Sequence, residues 1–199
     1  MNRTTDTRQR ILESARTLIY ASSYADVGVA KICDDAGVKK GSFYHFFPSK
    51  SDLTKTVIES FFVEVKTNVI DRVFANNLTL KARIGLLTDL VYEFQSDIKK
   101  KTGHVPGCPF GNLGSELSTT DEIIRKKIVA VFSRLESSFE TLASQIAEDE
   151  DLSDLDINAT AGAMIAYFEG VSLMAKTQNN PELIKQLLPT IQDIRVYQS

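Results

Sequence analysis

Apolar residues recur at three- and four-residue intervals along nearly the whole chain, and no stretch alternates with period two, so the pattern predicts an all-α protein of about nine helices. The first helix is expected over residues 6–21, with Ile11, Leu12, Ala15, Leu18 and Ile19 on one stripe and Thr5 or Asp6 as its cap. Two short helices follow within 27–47. Pro48 then breaks the chain, and Ser49 can cap a long helix whose apolar positions are Leu53, Val57, Phe61, Val65, Val69 and Val73, ended by Asn76 and Asn77. Leu80 to Ile98 reads as a further helix with Ile84, Leu87, Leu90, Val91 and Phe94 facing inward. The polar, glycine-punctuated stretch 99–107 reads as a loop. Next come a short segment from Cys108 to Ser118 and a long helix from about Glu122 to Glu148. Two last helices are expected, Ile157 to about Gln178 and Pro181 to about Tyr197, the second kinked or interrupted at Pro189.

The stretch 27–55 carries the densest information. Val29, Ile32 and Cys33 share the inward face of its first helix, and Gly37 suits a left-handed turn into the second. That second helix, about Lys40 to Phe47, places donors first and aromatics after them. Such an order fits a helix-turn-helix whose second helix presents its N-terminal end to DNA and packs its aromatic side on its own domain, with Phe43 and Phe46 inside.

A net charge of −3 argues against a nucleic-acid partner, but its distribution does not. Residues 1–56 hold nine Lys or Arg against six Asp or Glu, whereas the rest of the chain is acidic, with 14 against 20. The basic part coincides with the helix-turn-helix, where contact with phosphate requires it. No apolar run approaches the ~20 residues of a membrane span, and the N-terminus lacks the apolar core of a signal peptide, so a cytoplasmic protein is expected. Two cysteines, Cys33 and Cys108, are too few for a disulfide framework. With only His45 and His104 and no cluster around either, neither a metal nor another cofactor is expected.

The run Gly41-Ser42-Phe43-Tyr44-His45-Phe46-Phe47-Pro48-Ser49-Lys50-Ser51-Asp52-Leu53 resembles the signature of the TetR family of bacterial repressors, G-(S/T)-(L/F)-Y-x-(H/Y)-F-x-(S/N)-K-x-x-L. The likeness extends upstream through Ile11-Leu12, Ala15, Leu18, Tyr24, Val29, Ile32 and Ala36-Gly37-Val38, and so covers about the first 60 residues. It departs at Val27-Gly28, where the family has a Thr or Ser cap, which implies a looser helix start. The resemblance implies a TetR-like fold: a three-helix DNA-binding domain over 1–50 and a helical effector-binding and dimerisation domain over 51–199. It further implies DNA contacts from Lys39, Lys40, Ser42, Tyr44, His45 and Lys50. Also implied are a homodimer through residues 157–197, a palindromic double-stranded operator and a small-molecule effector.

Gly107-Cys108-Pro109-Phe110-Gly111-Asn112-Leu113-Gly114-Ser115-Glu116 resembles the G-C-(L/P)-x-x-N-L-x-x-E segment of one branch of that family, which includes repressors responding to electrophiles and oxidants. The resemblance implies that Cys108 is the sensing cysteine, and that Lys176 matches a lysine near it which could lower the thiol pKa or trap an oxidised sulfur as an S–N bond. A second reading stays open, in which Cys108 is a small apolar residue lining a pocket. Phe61, Phe62, Tyr92, Phe110 and Tyr167 are the aromatic candidates for that pocket. They favour a small apolar or electrophilic effector over a highly charged one. A cysteine enzyme with His104 as base is disfavoured, because no orienting residue or oxyanion feature accompanies the pair. A constitutive DNA-binding dimer is the other alternative.

Overall fold

The computed structural model describes residues 3–74 and 78–198. Among these the chain is helical, with one isolated bridge between Leu155 and Tyr197. Nine helices follow in order: α1 Arg3–Ala21, α2 Val29–Ala36, α3 Lys40–Phe46, α4 Lys50–Val65, α5 Leu80–Thr102, α6 Pro109–Leu117, α7 Glu122–Glu150, α8 Ile157–Thr177 and α9 Glu182–Leu187. Helix α4 runs on through a π-helical turn, Lys66–Ile70, and a last helical piece, Asp71–Val73. The expected stop at Asn76 and Asn77 lies outside the described residues. No helix among them is long and apolar enough to cross a membrane.

The chain divides into two compact units, 1–62 with 109–130 and 63–108 with 131–199. In the first, α1 packs on α2 and α3. Ser14 and Arg10 join α1 to α2: the Ser14 hydroxyl donates to the Ile32 carbonyl at 3.2 Å, and Arg10 donates to the carbonyls of Ala36 and Gly37. Helix α2 ends at Gly37, left-handed at φ 63°. There the Val38 amide donates to the Cys33 carbonyl and the Gly37 amide to that of Asp34, the paired bonds that satisfy a helix C-terminus. At its start, Gly28 is extended and offers no side-chain cap. Helix α1 starts at Arg3, so Thr5 and Asp6 lie in its first turn and neither is its cap.

Ser49 caps α4, accepting from the Asp52 amide at 3.0 Å and donating to the Asp52 carboxylate at 2.8 Å. Asp121 does the same for α7, with the amides of Ile123 and Ile124 on one carboxylate oxygen. The inward residues are Phe43 on α3 and Phe47 just past its end, with ring centroids 6.0 Å from each other. Phe46 is half-buried, contrary to expectation, because the chain leaves the helix at Phe47, whose extended backbone gives that residue the inward place. Phe46 helps line an open recess of about 480 Å³ with Arg8, Pro48 and Lys55.

In the second unit one buried cluster joins Leu87, Leu90 and Val91 of α5 to Phe139, Leu142 and Ile146 of α7 and to Met164, Val171 and Ala175 of α8. Helix α5 continues through the three lysines expected to begin a loop and stops at Gly103, left-handed at φ 84°. Cations in a last helical turn face the negative end of the helix dipole, which favours this extension. Lys99 also donates to the Asn179 carbonyl at 2.6 Å. Phe94 is 38% exposed, because Gln95 takes the inward place beside it. Helix α9 stops short of Tyr197: the chain passes into a 3-10 turn over Leu188–Asp193 at Pro189, which lacks the amide hydrogen that a continuing helix needs. Beyond it the segment is extended, with the Asp156 amide donating to Val196 and the Gln198 amide to Asp154.

Candidate functional site

Two groups of residues invite a functional reading. The first surrounds α3. Lys39 precedes the helix in an extended conformation, Lys40 and His45 are exposed, and Tyr44 is 55% exposed. Ser42 is half-buried. Behind them Phe43 is fully buried and stands edge-on to Tyr44 at 5.2 Å, so one side of a seven-residue helix anchors it while the other carries polar groups. That division places polar groups on the exposed side and the hydrophobic load behind it.

Lys50, the sixth expected DNA contact, is held differently. Its ammonium lies 3.5 Å from the centre of the Tyr24 ring and donates to the Tyr24 carbonyl. Burial draws its pKa down and nearby Glu116 opposes that change; burial also raises the Tyr24 phenol. Glu116, on α6, accepts the Tyr24 amide at 3.0 Å on one carboxylate oxygen and the Ala25 amide at 2.9 Å on the other. Asp121, the α7 cap, takes the Ser51 hydroxyl next to Lys50. Neither acid was among the residues expected to serve the DNA-binding part. Glu116 is nonetheless the last position of the cysteine-containing motif, so a signal for it was present.

The second group surrounds Cys108. Gln95 holds the preceding residue with both ends of its amide, taking the Gly107 amide hydrogen at 3.0 Å and donating to the Gly107 carbonyl at 3.2 Å. Asn179, at φ 47°, receives the Val105 amide at 2.8 Å and donates to Gly103 at 3.0 Å. The loop is thereby fixed, and it delivers a half-buried Cys108 immediately before Pro109, the first residue of α6. The Cys108 side chain hydrogen-bonds the Glu169 carboxyl of α8. Burial raises the Glu169 pKa, and the bond to Cys108 offsets part of the rise. Its Oε1 is sealed from solvent with no hydrogen-bond partner among the described residues, as are the hydroxyls of Thr88 and Ser96 on α5. Unsatisfied buried polar atoms are costly, and these mark where a polar ligand atom would be welcome. Glu169 was missed by sequence reasoning, yet it is the only charged residue between Ile157 and Ala175.

The remaining candidates divide between the two units. Phe61, Phe62 and Phe110 are buried in the first unit. In the second, the Tyr92 hydroxyl donates to Glu182 at 2.6 Å beneath the Lys185 ammonium, and the Tyr167 hydroxyl donates to the Leu187 carbonyl at 2.7 Å. Lys176 is exposed, two turns beyond Glu169 on the same helix.

Residues 11–57 match the model of the bacterial regulatory proteins of the tetR family, and residues 86–191 match the tetracyclin repressor-like C-terminal domain. The transcriptional regulator AcuR of Cereibacter sphaeroides is 29% identical over 87% of this chain and 78% of its own. The transcriptional repressor DhaR of a Mycobacterium species is 26% identical over 94% and 91%. The crystal structure of Escherichia coli NemR in its reduced form superposes with a TM-score of 0.77 at 20% identity, covering 97% of this chain and all of that one, which is a likeness of fold.

Proposed function

The chain belongs to the tetR family of bacterial regulatory proteins and is a DNA-binding transcriptional regulator. From that premise we propose that it is a homodimeric cytoplasmic repressor which leaves a palindromic operator when a small apolar or electrophilic effector occupies, or reacts at, Cys108. Lys39, Lys40, Ser42, Tyr44 and His45 meet the major groove and its phosphates, and Lys50 steadies the edge of that contact. A stripe of uncharged residues on α8, with Ala159, Ala166, Gly170 and Leu173 exposed on it, supports the dimer. Small side chains let a second copy approach closely, and Leu173, 60% exposed, adds apolar area.

The observation that carries the effector reading is the Cys108–Glu169 hydrogen bond beside a carboxylate oxygen left unsatisfied. A thiol facing a carboxylate is not stabilised as a thiolate, but it has a proton acceptor in place. In addition to an activated carbon–carbon double bond, the sulfur bonds to one carbon, the π pair moves toward the activating group, and the thiol proton passes by way of Glu169 to the other carbon. No oxidant is required. The adduct, or a ligand filling the same place, favours a form whose two recognition helices no longer match the operator.

The test is a DNA-shift titration with N-ethylmaleimide, using a duplex that the wild-type protein selects from a random pool. Wild type should be released in step with adduct formation at Cys108, while Cys108→Ser should stay bound. Release of both, or of neither despite full modification, would overturn the cysteine reading. Among relatives, the transcriptional regulator AcuR and the transcriptional repressor DhaR support a regulator over a cysteine enzyme, and DhaR supports repression.

A further inference from the structure

We infer that Glu116 is a positioning residue for DNA binding, supplied to the basic N-terminal module by the segment that directly follows Cys108. Its two carboxylate oxygens each take one backbone amide of the α1–α2 connection, at 3.0 and 2.9 Å. The peptide so held contributes the Tyr24 carbonyl that receives Lys50. Glu116 and Lys50 also interact directly through their charges. One acid therefore sets the backbone position of residues 24–25 and, through it, the position of the first cation of α4. A carboxylate suits this place because it offers acceptors only; a Gln would turn an NH₂ group toward one of the two amides and leave both donors unmatched. The Ser51–Asp121 contact repeats the arrangement one residue along α4, so both ends of the α6–α7 connection grip the start of the DNA-binding elements.

The same acid gives effector binding a route to DNA. Cys108 is joined to Pro109, and Glu116 lies two turns along α6, so a shift or twist of α6 on modification alters the hold on Tyr24 and Ala25. This second step rests on the proposed effector role of Cys108; the first does not.

Glu116→Gln is the test, with Glu116→Asp as the variant that keeps the charge at shorter reach should the first fold poorly. Affinity for the selected duplex should fall about tenfold, the size expected for losing one charged hydrogen-bond pair. Combined with Lys50→Ala, the loss should be smaller than the product of the two single losses, because both act through Tyr24. A merely structural defect would give independent, multiplicative losses and a lowered melting temperature. Wild-type affinity in both Glu116 variants, or multiplicative losses, overturns the positioning role. With N-ethylmaleimide, Glu116→Gln should form the Cys108 adduct at the wild-type rate yet show little further loss of affinity; a full further loss overturns the route. If the adduct leaves wild type on DNA, the effector reading fails while the double-mutant comparison still decides the role of Glu116.

Discussion

The Lys50 ammonium stands 3.5 Å above the Tyr24 ring and bonds to the same residue's carbonyl. A cation so placed serves the fold as well as any ligand, because a partly desolvated cation–π contact adds to a charged hydrogen bond. Lys50→Ala should therefore lower unfolding stability by about 1–2 kcal/mol by urea titration, in addition to weakening DNA binding. A stability equal to wild type would assign Lys50 to DNA alone.

Lys40 makes a contrasting case. It is exposed at the first position of α3, so Lys40→Ala should leave unfolding unchanged. The slope of log affinity against log salt should flatten by roughly one unit, as for the loss of one phosphate contact.

Gly37 has no tolerant substitute. At φ 63° a side chain is strained, and a Cβ built there would lie 2.7 Å from the Arg10 guanidinium that closes α2. Gly37→Ala should cost about 1–2 kcal/mol, read from the urea midpoint, and should also loosen the turn ahead of α3.

Glu169 makes stability depend on pH. Its folded pKa is raised above the ordinary 4.5 by burial, so the folded state holds its proton more tightly than the unfolded chain. The stability this contributes is complete below 4.5 and is lost as pH rises through the folded value. Glu169→Gln removes the titration. Measured against wild type, the variant should gain relative stability on going from pH 4 to pH 8, and a difference that does not vary with pH would contradict a buried, titrating Glu169.

The exposed stripe on α8 predicts an oligomer. Leu173→Glu sets like charges against each other in a two-fold interface. It should shift the protein toward monomer in analytical ultracentrifugation and reduce operator affinity without changing helix content.

Much of the architecture could be read before any coordinates, because helices announce themselves by period and by their ends. Ser49 before Asp52, Gly37 after α2 and Pro189 at the 3-10 turn all act as their chemistry directs. Errors gathered where a neighbour outweighed local pattern. Phe94 yielded its place to Gln95, whose amide is needed by Gly107, and the lysines after Ile98 extended a helix because Asn179 receives one of them. That Phe43 faces inward while Lys40, Tyr44 and His45 stay exposed was legible in the run of donors followed by aromatics. The partners of Cys108 and Lys50 were not, since Glu169 and Glu116 lie 61 and 66 residues away along the chain and only folding brings them near.

The π-helical turn at Lys66–Ile70 explains an oddity of spacing. Leu53, Val57, Phe61, Val65, Val69 and Val73 repeat every four residues, whereas an α-helix completes a turn in 3.6 and would carry such a row steadily around its circumference. A stretch of wider winding takes up the surplus and returns Val73 to the interior. The helix thus keeps time with its own sequence by slowing once, and removing a single residue from that turn would advance everything after it by about a quarter of a revolution.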